Sequence, residues 1–189
     1  MSLRHGFKSR ANEISVRLRR GQGLVAHAPI DLRLIAKRLD IDIVPLGSFG
    51  QQHPVAVKQL SIIDPGAFSA ATLRGECGKC IIVHNDSHDP GRQENSLSHE
   101  IAHVLLGHPF SLPIDISGCR NIDRDIEDEA AWLGATILIS NEAALHILRS
   151  DLDDDAACKI YGVSLQLLRM RVNASGARIR LNRFLSSTR

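Results

Sequence analysis

The sequence predicts an α+β fold: a mostly helical domain with a small antiparallel sheet packed on one central helix. Three observations carry this. Apolar residues recur at helical spacing along most of the chain, and only short stretches near 41–44 and 67–85 read as strands. Two of those strands, about 67–73 and 79–85, flank Gly75 to Gly78, which reads as a hairpin connection. Hydrophobic residues make up 43% of the chain but aromatics only 4%, so the core has to be aliphatic.

Taken in order, residues 3 to 20 form an amphipathic helix with Leu3, Phe7, Ile14 and Leu18 on one stripe, ended by Gly21-Gln-Gly23. A short helix after Pro29 presents Leu32, Ile35, Ala36 and Leu39. Ile41 to Val44 alternates like a strand and stops at Pro45, and Gly47 to Pro54 reads as loop. After the hairpin, Asn85 to Gly91 is a dense turn cluster. The central helix runs from about Arg92 to Leu106, where Gly107 supplies a left-handed stop and Pro109 blocks continuation. A loop from Pro109 to Asn121 leads to a helix from about Asp123 to Ile139. Ser140 caps the next, which ends near Arg149. Residues 151–175 read as a pair of helices broken at Gly162, with Leu165, Leu168 and Val172 on the buried side, and 176–189 as a basic tail. The expected organisation is one domain over 1–189.

Charge and hydropathy exclude several classes. The formal net charge of +2 implies neither nucleic acid nor membrane as a partner. Basic residues do gather at the end: from Ala156 to Arg189 there is no Asp or Glu. No apolar run reaches the ~18 residues of a membrane span, and the start lacks a signal-peptide core. A cytoplasmic location is expected, with Cys77, Cys80, Cys119 and Cys158 as reduced thiols.

The chemistry centres on His99-Glu100-Ile101-Ala102-His103. On a helix, residues at i and i+4 share a face, so both imidazoles can reach one ion. Glu100, beside the first of them, reaches a water on that ion rather than the ion itself. Zinc brings the pKa of bound water down to about 7, where a carboxylate can take its proton. The pentad alone arises in about one shuffled chain in sixty of this composition. Its context adds weight: Leu97, Ile101, Val104 and Leu105 make the helix apolar, and two unligated histidines beside a core are costly.

Such a site needs a third ligand. The extended form with a third histidine would place Gly at 106 and His at 109, where this chain has Leu106 and Pro109; His108 lies past the helix stop, out of register. A carboxylate from the 123–139 helix is the alternative. Glu127 shares its face with Ala130, Ala131 and Gly134, small residues that permit close approach; Glu129, on the face of Trp132 and Leu133, is the second choice.

These motifs resemble the ImmA/IrrE metallopeptidases over nearly the whole chain. The resemblance rests on Leu97-Ser-His-Glu-Ile-Ala-His-Val-Leu-Leu-Gly-His108 and on Glu127-Asp-Glu-Ala-Ala-Trp-Leu-Gly-Ala-Thr-Ile-Leu-Ile-Ser140. The hairpin Phe68-Ser-Ala to Ile81-Ile-Val-His-Asn85, followed by Arg92, is similar to the family's lead-in. It implies a zincin-like fold and Zn2+ held by His99, His103 and Glu127, with Glu100 as catalytic base. It also implies endopeptidase activity on a protein substrate, a DNA-binding repressor in some relatives. Two positions depart from the pattern: Ala131 stands where Asn or Asp is usual, a group that could orient a histidine ligand, and Ser140 replaces Pro. Some relatives carry an added DNA-binding or sensor domain, for which this chain is expected to have no room. The competing class is a metal-bound regulatory module that binds a repressor or DNA without cutting it; a base beside the ion argues against it.

Weaker signals give less. Cys77-Gly-Lys-Cys80 is a lone pair without a second, in a turn rather than at a helix start. Ala156 to Leu168 resembles a helix-turn-helix followed by Arg169 and Arg171, a pattern also found inside ImmA/IrrE catalytic domains. His84, Ser87 and His88 form no persuasive nucleophile set.

Overall fold

The computed structural model describes residues 3–75, 78–109, 123–150 and 152–187. Strand β1 (Ile41–Pro45), β2 (Ala70–Arg74) and β3 (Cys80–His84) form one sheet in the order β1-β3-β2. The hairpin is as expected, with β2 antiparallel to β3 and Ala70 opposite His84. The sheet as a whole is not antiparallel. β1 runs parallel to β3, Ile41 opposite Cys80, so the sheet is mixed. The connection from Leu46 to Ser69 joins β1 to β2 past β3, and β2 returns the chain through the hairpin so that β3 runs beside β1 in the same direction. It contains a 3-10 turn at Leu46–Phe49, helix α3 (Pro54–Lys58) and a wider π-type turn at Gln59–Ile63.

Before the sheet come α1 (Phe7–Gly21) and α2 (Leu32–Arg38). After it come α4 (Pro90–Leu106) and α5 (Arg124–Leu138), which pack against each other, α4 also lying on β2 and β3. Then follow α6 (Asn141–Arg149), α7 (Asp154–Tyr161), α8 (Leu165–Ala174) and α9 (Ala177–Ser187). The fold is α+β and mostly helical. The basic stretch read as a tail contains α9, which packs on α6 and α8.

Local chemistry sets these boundaries. The Asp89 carboxylate accepts the Arg92 N–H at 3.0 Å at the start of α4, with Pro90 in the first turn. Asp123, Ser140, Asp153 and Ser164 cap α5 to α8 in the same way. Gly107 closes α4 at φ 68° and Gly162 separates α7 from α8 at φ 63°, both conformations that favour glycine.

The aliphatic core lies between α4, α5 and the elements around them: Leu32, Ile82, Leu97, Ile101, Leu133 and Ile137 are fully buried. The stripe on α1 differs from the expected one. Its buried positions are Phe7, Ala11, Ser15 and Arg19, while Ile14 and Leu18 sit at the rim. Ser15 and Arg19 are buried because the end of α5 presents carbonyls that need donors. The Ser15 hydroxyl donates to Thr136 O at 2.7 Å, and the Arg19 guanidinium to Leu138 O at 3.0 Å and Ala28 O at 2.7 Å. From α8, buried Arg171 donates to Ile139 O at 2.9 Å and Asn141 Oδ1 at 2.9 Å. Burial pushes both guanidiniums down to about 10.

The α7–α8 pair rests on the body. A Cβ at Gly91 would lie 3.0 Å from Ser164 N, so the start of α4 touches the α7–α8 turn backbone to backbone. Leu167, Leu168 and Val172 are buried, but Leu165 is 39% exposed, contrary to expectation. It occupies the first turn of α8, roughly a quarter-turn round from the stripe centred between Leu168 and Arg171. Arg169 pairs with Asp154 at 2.8 Å on the surface. Among the described residues no single helix is long and apolar enough to cross a membrane.

Candidate metal centre

The two histidines of the pentad face each other across one helical turn of α4, His99 Nε2 and His103 Nε2 being 3.1 Å apart. Helix α5 brings Glu127 to both. Its carboxylate lies 3.2 Å from His99 Nε2 and 3.6 Å from His103 Nε2. The approach is possible because Gly134 has no side chain: a Cβ there would meet His99 Cα and N at 3.0 Å. Small Ala130 and Ala131 continue that face, as their spacing from Glu127 predicts.

The arrangement fits a tetrahedral ion of the zinc class. Ligand atoms about 2.0–2.1 Å from such an ion lie about 3.3 Å from one another, leaving one corner open. The His99–His103 Nε2 separation of 3.1 Å and the His99 Nε2–Glu127 Oε2 separation of 3.2 Å are close to that spacing, and the other carboxylate oxygen, Oε1, lies 3.6 Å from His103 Nε2. Two imidazole nitrogens turned toward one carboxylate are also a chemically sensible donor set for a borderline-soft divalent cation.

Glu100 points elsewhere, toward β2. Its Oε2 accepts a hydrogen bond from the Thr72 hydroxyl at 2.6 Å. Burial raises the Glu100 pKa above the ordinary carboxylate value, while the Thr72 hydroxyl and His99 pull it back down. A carboxylate raised in this way holds a proton more readily than an exposed one, as a group that takes and returns a proton must.

Glu129, the second choice for a third ligand, does not face the histidine pair. Its carboxylate is held by the Arg4 guanidinium through both oxygens and lies 3.8 Å from His108 Nε2. Arg4 keeps the Glu129 carboxyl below its usual range. His108, set aside by register, proves to be adjacent to the centre: its Nδ1 is 3.0 Å from His103 Nδ1. The signal for this lay in Gly107. A glycine stop wraps the chain back over the last turn, and His108 N–H donates to His103 O at 3.0 Å.

A cleft of about 650 Å³ opens beside these groups. Ala70 of the sheet, Glu100, Glu127 and Ala131 form one part of its wall, and Leu167 and Met170 of α8 another. Strand β2 is an edge strand in the described sheet, and its first residue, Ala70, lines the cleft. The weaker sequence signals have structural places. The Ser87 hydroxyl donates to Asn85 Oδ1 at 2.7 Å, and His88 Nε2 meets Pro65 O at 2.8 Å, both holding the turn after β3. Cys80 is a free thiol on β3; Cys77, Cys119 and most of the 109–121 loop lie outside the described residues.

Comparison with known families decides the class. The model of the M78 peptidases, described as the IrrE N-terminal-like domain, matches residues 36–173. The chain belongs to the ImmA/IrrE family of metallopeptidases. The match covers β1 through α8, hence the pentad helix, Glu127 and both walls of the cleft. Helix α1 and Arg4 precede it, and α9 follows it. A search of curated proteins returned no match. As an ImmA/IrrE protein the chain is a metallopeptidase by family, with His99, His103 and Glu127 as its candidate metal site.

Proposed function

We propose that this chain is a zinc-dependent endopeptidase that cuts an extended segment of a regulatory protein, a DNA-binding repressor being the class the family resemblance suggests. The cytoplasm is the proposed compartment, and the whole chain the functional unit. The observation that carries the reading is that Ala70, at the start of edge strand β2, lines the same cleft as Glu100, His99 and Glu127.

His99, His103 and Glu127 would hold the ion. When bound, it makes water acidic near pH 7 and polarises a carbonyl oxygen. The chain's own groups supply the rest. The open edge of β2 offers backbone donors and acceptors to a peptide laid alongside as an added strand. Ala131, Leu167 and Met170 give that peptide's side chains an apolar wall. Glu100 takes a proton from the attacking water and delivers it to the amide nitrogen as the peptide bond breaks. Thr72 steadies the Glu100 carboxylate before the first transfer and after the second. A pure binding module has no use for a buried base in this position.

A folded repressor offers few free strands, because its backbone groups are already paired. Cleavage is therefore expected only where the target is locally loosened or presented by a partner. The test is to incubate the zinc-loaded protein, and its Glu100→Gln variant, with casein and with a candidate repressor, native and heat-loosened. Cleavage at one site of the loosened repressor by the unaltered protein alone supports the proposal. Equal cutting of every folded substrate, or equal cutting by Glu100→Gln, contradicts it.

A further inference from the structure

Ala131 stands where the family pattern usually has Asn or Asp, and an alanine can donate or accept nothing from its side chain. A ligating histidine still needs a partner for its other ring nitrogen, which fixes both tautomer and ring angle. His103 has one. Its Nε2 faces His99 and Glu127, and its Nδ1 lies 3.0 Å from His108 Nδ1.

The proton order along this line is determined by the chemistry of each atom. If Nε2 of His103 gives its lone pair to an ion, the ring proton must be on Nδ1, which then donates to His108 Nδ1. That nitrogen accepts only if His108 carries its own proton on Nε2. His108 Nε2 faces the Glu129 carboxylate 3.8 Å away, a charge contact longer than a hydrogen bond, and that carboxylate is clamped by the Arg4 guanidinium. His108 and Glu129 are both buried, 9% and 4% exposed, so water does not compete freely for these contacts. The Gly107 turn and the His108 N–H bond to His103 O hold the two rings together through the backbone.

We infer that His108, Glu129 and Arg4 form a positioning relay that holds His103 as its Nδ1–H tautomer from the end of α4. Arg4 belongs to the segment before the family match, so the relay is completed by a part of the chain that the family model does not cover. The inference rests on the metal reading of His99, His103 and Glu127. It concerns positioning residues, since none of the three touches the reacting atoms.

Two measurements test it. The first is the histidine tautomers of the unaltered, zinc-loaded protein by long-range ¹H–¹⁵N NMR. His103 protonated at Nδ1 with His108 protonated at Nε2 is expected; His108 protonated at Nδ1 overturns the relay. The second is zinc affinity by competition with a chromophoric chelator. His108→Leu should weaken binding about 10- to 100-fold, the usual cost of losing such a partner. His108→Asn, whose Oδ1 falls near the place of the histidine Nδ1 and can accept the His103 Nδ1–H, should recover most of the loss. Tight zinc binding by the unaltered chain with no loss in His108→Leu overturns the relay alone. An unaltered chain that takes up no zinc overturns the metal reading with it.

Discussion

Gly134 of α5 and His99 of α4 are in backbone contact: a Cβ on Gly134 would sit 3.0 Å from both His99 Cα and His99 N. Nothing flexible can yield there, because the obstructing atoms are main chain. The separation of the two helices, and so the reach of Glu127 to the histidines, is set by this one absent side chain. Gly134→Val should therefore push α5 away, cost about 1–3 kcal/mol in stability, and weaken zinc binding by more than tenfold. Thermal unfolding with and without zinc reads both effects. Unchanged zinc affinity in a destabilised variant would show that the helix spacing does not control the site.

Thr72 tunes the base. Its hydroxyl donates to the charged form of Glu100, opposing the upward push of burial. Thr72→Val removes the donor, so the Glu100 pKa rises and the acid limb of the kcat/KM profile moves to higher pH. A hydrogen bond to a charged group is worth about 1.5–3 kcal/mol, so a shift of roughly one pH unit is expected once water partly substitutes. An acid limb that stays in place would assign that limb to another group.

Arg19 is a structural cation. It satisfies Leu138 O and Ala28 O and touches the Ser15 hydroxyl at 2.6 Å. Arg19→Met keeps much of the volume but strands two carbonyls, and should cost about 3 kcal/mol or more in urea unfolding. A loss below ~1 kcal/mol would mean that water replaces the guanidinium freely.

Acid should destabilise the metal-free chain through His103. Burial first, then His99 and His108, hold His103 down to about 4 from its ordinary 6.5. Between those values the unfolded chain takes the proton and the folded chain does not. Stability therefore rises with pH through that window and is lost as pH falls from 6.5 toward 4. Urea unfolding of the metal-free protein at pH 7 and pH 5 measures the slope, and His103→Gln should flatten it. A metal-free chain as stable at pH 5 as at pH 7 would contradict the burial of that ring.

Much of this was legible in the sequence because it follows from local rules. The i, i+4 histidines, the Gly107 and Gly162 stops, the serine and aspartate caps, and the small-residue face below Glu127 are all short-range patterns. What escaped depended on distant partners. Ser15 and Arg19 look polar in a binary pattern, yet the carbonyls they serve are on α5, far along the chain. The parallel pairing of β1 with β3 joins strands separated by β2 in sequence, which no local alternation reports. His108 was out of register for a helix, and only the backward wrap at Gly107 puts it against His103. Glu129 looked like a rival ligand because its partner, Arg4, lies at the other end of the sequence.

The identity of the carboxylate at the metal decides the chemistry of the site. A structure of the zinc-loaded protein, purified without chelators, tests it. The predicted result is one ion per chain on His99 Nε2, His103 Nε2 and the Glu127 carboxylate, with Glu129 still on Arg4. An ion ligated by Glu129 in place of Glu127, or a chain that binds no ion, would contradict it.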